Sequence, residues 1–282
     1  MGALIHVTTW ERKSTGRRIL LAFVRVALLI AILTVLINVL GPPISIFVTT
    51  RWMARKVPAV RVAPQPLADY SVSAGPTTAL SYFGYEFEVP WTTAFKAKGG
   101  KASIVQLQFD SGQSLVFIAP ANQSGFFTEI VQDRSMNMAN LQLILGDLTN
   151  RSAYDQEVAL LSATPESVQA FGPRADAVRG ATLLTIKAIA VGPGLATGVF
   201  SFRFPDKRGF QVGDPQKSKR VDLEVFDMGG HHVEILLFSA KVGARLSQSE
   251  INRILTSLHT VSVGSPVAAA SHLAGTPSAR NQ

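Results

Sequence analysis

Residues 220–238 read RVDLEVFDMGGHHVEILLF, two alternating runs around a Gly-Gly pair. Val221, Leu223 and Val225 alternate with acids before the pair, and Val233, Ile235 and Leu237 alternate after it. A two-residue Gly229-Gly230 turn would set Val225 opposite Glu234 and Leu223 opposite Leu236, mixing apolar and acidic side chains on one face. Shifting by one residue aligns the two apolar rows. Because register follows the buried face, the stretch predicts a hairpin with an odd-numbered loop of three or five residues. Such a loop carries a glycine in the left-handed region and a bulge.

The same alternation recurs elsewhere. In YEFEV, Tyr85, Phe87 and Val89 alternate with Glu86 and Glu88; in SIVQLQF, Val105, Leu107 and Phe109 alternate with glutamines. After the turn sequence DSGQ, SLVFIA continues as a second strand, so 103–119 reads as a hairpin. TGVFSFRF is a further strand. Helices are predicted from Ser152-x-x-Asp155, from Thr164-Pro165-Glu166, over about 173–190, and from the capping box Ser247-x-x-Glu250. In the last, Ile251, Ile254, Leu255 and Leu258 share one stripe that should pack on the sheet. The fold class expected is α+β: an N-terminal transmembrane helix followed by one domain with an antiparallel sheet packed by helices.

The transmembrane element is Ile19 to Leu40, in which sixteen residues are Leu, Ile, Val or Phe. At about 1.5 Å per residue the window spans roughly 33 Å, slightly more than a hydrocarbon core of about 30 Å. Its aliphatic residues favour insertion by roughly 5–10 kcal/mol, against at most about 3 kcal/mol for Arg25, which can snorkel. A cleaved signal peptide is the main rival, but the run is long for one. A buried core helix would need a partner on every face. Pro42 and Pro43 are expected to end the helix at the interface, with Trp52 as a headgroup anchor beside Arg51, Arg55 and Lys56. The domain plan is then a basic tail at 1–18, anchor and exit at 19–48, a Pro-rich stalk at 49–76, a globular α+β domain at 77–263 and a disordered tail at 264–282.

The charge distribution narrows the partners. Of the 27 Lys/Arg and 19 Asp/Glu, residues 1–67 hold nine Lys/Arg and one acid, so the remainder is neutral. The basic excess flanks the apolar run, and the neutral remainder lacks an electrostatic footprint for nucleic acid. With no cysteine, disulfide-linked partners, thiolate chemistry and Cys-ligated metals are excluded. Five basic residues on the N-terminal side, counting Arg25 within the span, against four after it tilt the positive-inside rule toward a cytoplasmic N-terminus. The expected location is therefore the cell membrane, single-pass, with the domain outside the cytoplasm.

Catalytic candidates are thin. Asp227, His231 and His232 are the weak set, and adjacent histidines in a strand project to opposite faces. The glycines of 192–198 imitate a dinucleotide fingerprint but lead into a strand, so they read as a loop. The pairs Glu86/Glu88 and Asp222/Glu224 read as outward strand faces, and Lys207, Arg208, Lys217, Lys219 and Arg220 as a basic loop. No cofactor or metal is expected.

FGYEFEVPW, together with the late hairpin and the terminal INRILTSL helix, resembles PsbP/Mog1-type domains across about 80–262. No glycine precedes Trp91 and the helical middle is long, which departs from that pattern. The resemblance implies a central antiparallel sheet flanked by helices in a largely accessory, binding family without a shared catalytic set. The function expected is a single-pass membrane protein whose domain binds or scaffolds another envelope component. A membrane-tethered hydrolase and a cytoplasm-facing regulatory module are the alternatives.

Overall fold

A computed structural model of the 282-residue chain describes residues 28, 30, 38, 41–92, 95–99, 103–119, 127, 137–192, 194–239 and 245–261. Two sheets and a helical layer make up the described part. The first helix, α1, covers residues 41–56. The strands are β1 (Gln65–Pro66), β2 (Thr78–Tyr82), β3 (Tyr85–Val89), β4 (Phe95–Gly99), β5 (Ile104–Phe109) and β6 (Gln113–Ile118), followed after three helices by β7 (Val199–Arg203), β8 (Lys207–Val212), β9 (Arg220–Asp227) and β10 (His232–Ser239). The three helices are α2 (Met138–Leu145), α3 (Ala153–Ser162) and α4 (Arg174–Ala190); α5 (Gln248–Ser257) and β11 (His259–Thr260) close the described chain.

The large sheet has the order β1-β7-β8-β9-β10-β6-β5-β4, and the small one β11-β3-β2. The chain is thus α+β, as expected, but the large sheet is mixed: β1 pairs parallel to β7 through Gln65 and Phe200. Two residues without an apolar period leave no mark of a strand in the sequence, so this pair went unseen.

The 220–238 hairpin has the predicted register. Val225 faces Val233, Leu223 faces Ile235 and Val221 faces Leu237. Its loop is Met228-Gly229-Gly230, closed by Asp227 N donating to His231 O at 2.9 Å, with Gly230 at φ 86°. The apolar row joins Leu115, Phe117, Leu107 and the α5 stripe in the main core, between the large sheet and the layer formed by the small sheet and α5. Ser247 caps α5 in a complete capping box with Glu250, and Glu250 also accepts from Trp91 Nε1 at 3.1 Å. Gly209, on β8, is needed for close packing: a Cβ there would lie 1.9 Å from Glu224 O.

The N-terminal part departs from expectation. Pro42 and Pro43 lie within helical backbone rather than ending it. Pro43, Thr50 and Ala54 are buried and Ile46 and Met53 half-buried, a stripe at helical spacing whose packing outweighs the stop signal. Ile46, Met53 and Ala54 join Leu141, Leu145 and Leu184 in a helical core. No helix among the described residues is long and apolar enough to cross a membrane. Ile19, Arg25 and Leu40 lie outside the described residues.

Of residues 49–76, expected as a Pro-rich stalk, 49–56 are the end of α1 and the rest is fastened to the domain. A 3-10 turn at Pro58–Arg61 buries Ala59 and Val60, β1 joins the sheet, and Asn252 Nδ2 donates to Asp69 O at 3.0 Å and Ser71 O at 2.8 Å. The predicted helix at Thr164-Pro165-Glu166 is only a 3-10 turn, Pro165–Ser167. Thr164 makes no side-chain cap there, so an N-cap sequence alone did not carry a full helix.

Candidate functional site at the hairpin tip

The hairpin loop is held by Asp227. Its Oδ1 accepts from His231 N at 2.8 Å, and its Oδ2 lies 2.8 Å from His231 Nδ1. The short loop therefore brings together two of the three sequence candidates. The third, His232, points to the opposite face, as the period of two requires. Its ring stacks on Phe226 at 4.6 Å and 12°, and its Nε2 bonds Glu224. Phe226 in turn meets Tyr154 edge-on, so His232 ends an aromatic stack and has no part in the site.

Beside the Asp227–His231 pair lies a cavity of about 90 Å³, lined by Tyr85, Asp206, Lys207, Asp227, His231 and Thr260 among others. Four separate stretches converge there. β3 and β11 pair Tyr85 with Thr260, and β8 and β9 pair Lys207 with Asp227. Lys207 is nearly fully buried; its Nζ donates to Asp206 Oδ2 at 3.0 Å and to the carbonyl of Leu258. These bonds lock the end of α5 onto β8. Burial pushes the Tyr85 hydroxyl above its ordinary pKa, and the charge of Asp227 adds to the rise.

A carboxylate that fixes one imidazole nitrogen leaves the other free to act as a base. What such a dyad needs next is a nucleophile. Among the described residues no serine lines the cavity, and the hydroxyls there are those of Tyr85 and Thr260. At about 90 Å³ the cavity is well below the roughly 300 Å³ of a pocket for an organic ligand. Among the described residues, no group of three His, Asp or Glu side chains could hold a metal ion.

The remaining sequence candidates are engaged with neighbours. Glu88 pairs with Arg253 at 3.1 Å, and Asp222 takes a bidentate hold from Arg220, with both contacts at 2.6 Å. The basic residues of 207–220 do not form one loop. Lys207 and Arg208 sit in β8 on opposite faces, Arg208 lying 3.7 Å over the Tyr154 ring, and Lys217 pairs with Asp214 at 2.9 Å. The described residues of the 192–198 stretch precede β7 and form turns, not the start of a helix.

Sequence reasoning did not place Tyr85, Asp206, His259 or Thr260 at the hairpin tip, and it read Lys207 as part of a basic loop. One signal was available: extending the β8 alternation puts Lys207 on the same inward face as Gln211, and an inward lysine demands partners. Trp52, the described member of the anchor set, is exposed on α1. Compared with known protein families the sequence matches none, and no curated protein aligns with it significantly.

Proposed function

We propose that the chain is a single-pass membrane-anchored protein whose globular domain binds or scaffolds another component of the cell envelope. The observation that carries this reading is the continuity from apolar run to domain. The run at 19–40 leads into α1, and α1 is part of the helical core through Ile46, Met53 and Ala54. A domain built around its own membrane-proximal helix suits the presentation of a surface at a set position. The resemblance to PsbP/Mog1-type accessory domains points the same way. Two features argue against catalysis as the main role: the hairpin-tip cavity is small, and among the described residues no serine lines it.

The test uses the absence of native cysteines. Ser278→Cys is exposed to a membrane-impermeant maleimide in intact cells and in lysed cells, after the reagent is shown to reach the compartment outside the inner membrane. Labelling in intact cells is expected, and cross-linking from the domain then identifies the partner. Labelling only after lysis would overturn the outward orientation and favour a cytoplasm-facing regulatory module.

The Asp227–His231 pair favours one second reading, a membrane-tethered hydrolase. It requires turnover of a small activated ester that His231→Gln abolishes. We expect no turnover above buffer in either protein.

A further inference from the structure

The outer side of α1 is unlike an ordinary solvent face. Ile44, Val48 and Trp52 follow one another at i, i+4 spacing and are 37, 57 and 60% exposed. At the end of that apolar stripe stand Arg51 and Arg55, and the 3-10 turn adds Arg61 across a groove of about 640 Å³. Val48, Arg51, Trp52, Arg55, Arg61 and Glu166 are among its lining.

The groove is positioned by the core beneath it. Ala54 is buried under α1, and Ala59 and Val60 anchor the turn that carries Arg61. Lys187 Nζ donates to Val62 O at 2.6 Å, just past that turn. Arg51 is partly neutralised, with its Nη1 at 2.6 Å from Glu166 Oε1. Glu166 is held below the usual carboxylate range by its own backbone N–H first, with Thr164 and Arg51 adding to the effect. Arg55 and Arg61 have no carboxylate partner among the described residues. The groove thus offers two uncompensated guanidiniums above an indole and an aliphatic stripe.

We propose that this groove binds the phosphate head of an anionic phospholipid, with Trp52 at the level of the headgroup and Ile44 and Val48 against the acyl region. Guanidinium groups bind phosphate oxygens through paired N–H donors, and tryptophan favours the level of the headgroups. Free phosphate would use the arginines but would give the exposed stripe no role. The amphiphilic combination selects the lipid. The proposal rests on the membrane-anchored reading above and adds a headgroup preference to it.

The test uses the full chain in neutral detergent, titrated with dioctanoyl phosphatidylglycerol, dioctanoyl phosphatidylcholine or inorganic phosphate, with retained ligand read by native mass spectrometry. Phosphatidylglycerol is expected to bind at least tenfold more tightly than phosphatidylcholine. Each basic group near an anionic lipid is worth about fivefold, so Arg55→Gln/Arg61→Gln should weaken phosphatidylglycerol about thirtyfold. Lys217→Gln/Lys219→Gln, in the connection between β8 and β9, should leave it unchanged. Circular dichroism of the arginine variant checks its fold, which two exposed side chains should not disturb.

Equal affinity for the two lipids, or an unmoved arginine variant, overturns the proposal. Displacement of the lipid by equimolar inorganic phosphate overturns the choice of lipid over free anion. Alkaline carbonate washing of membranes separately tests the anchored reading, since the arginine variant should stay in the pellet with the wild type. Release of the wild-type chain would sink that reading whatever the lipid titration gives.

Discussion

Lys187 reaches from α4 to the carbonyl of Val62, 125 residues earlier, in a 2.6 Å hydrogen bond. Two further acceptors, Leu161 O and Ala163 O at 2.5 and 2.8 Å, belong to the C-terminal turn of α3. The ammonium is fully buried, and three carbonyls plus the negative end of a helix dipole take the place of a carboxylate partner. One side chain therefore ties α3, α4 and the segment after the 3-10 turn together.

Lys187→Met should leave three buried carbonyls without a donor and destabilise the fold by about 2–4 kcal/mol, read by urea unfolding of the full chain in detergent. Burial lowers the Lys187 pKa to about 8 from 10.5. Between these values the unfolded chain binds more protons than the folded one, so stability should rise with pH. The gain should reach about 2 kcal/mol by pH 9.5 and be missing in the methionine variant. A flat wild-type profile would mean that the lysine titrates as if exposed.

Asp222 has the opposite sign. Burial pushes its carboxyl up to about 6 from 3.8; the bonds and charge of Arg220 oppose the rise and Glu224 adds to it. The folded state then holds the proton more firmly, so this contribution is present below about pH 4 and is lost as pH rises through 6. Relative to Asp222→Asn, the wild type should lose up to about 3 kcal/mol between pH 4 and 7. Parallel curves for the two proteins would remove Asp222 as the cause.

Two glycines should respond differently to alanine. At Gly230 there is open space but φ is 86°, so Gly230→Ala should cost about 1–2 kcal/mol of left-handed strain. At Gly209 the added methyl would strike Glu224 O at 1.9 Å. There Gly209→Ala should part β8 from β9 and cost more than about 4 kcal/mol. Equal losses for the two would contradict this strand packing.

Asp227 should reveal itself through Tyr85. Ultraviolet titration of Asp227→Asn should show the Tyr85 phenol ionising at lower pH than in the wild type, because one of its two raising influences is gone. It should remain above 10, because burial, the larger cause, persists. An unchanged titration would separate Tyr85 from the hairpin tip.

The legible parts of this fold were those in which a local pattern and the tertiary environment agree. Val221, Leu223 and Val225 could face only one way, and that condition restricts the loop to an odd length, three or five residues; the Asp227–His231 bond makes it three. Ser247 and Glu250 satisfy each other without help from elsewhere. Pro42 and Pro43 misled because a stop signal is a local preference, whereas α1 is set by the Ala54 side packing into the helical core. Lys187 was hidden for a related reason. Within a helix from about 173 to 190 a lysine reads as solvent-facing until α3 is known to end against it. The candidate cavity draws on four stretches distant in sequence, residue 85, residues 206–207, the hairpin tip and residues 258–260, and only the hairpin tip announced itself as a local pattern.

The fastening of residues 55–76 changes what the domain can reach. A flexible tether of that length would let its cargo roam over about 25 Å, searching a hemisphere for partners. Here the slack is taken up by β1 on the sheet edge, by Asn252 on Asp69 and Ser71, and by Lys187 on Val62. The segment after α1 is thereby held against the domain along its length rather than hanging free. On the membrane-anchored reading proposed above, the strap itself would select a partner by stature, like a turnstile set at a fixed level.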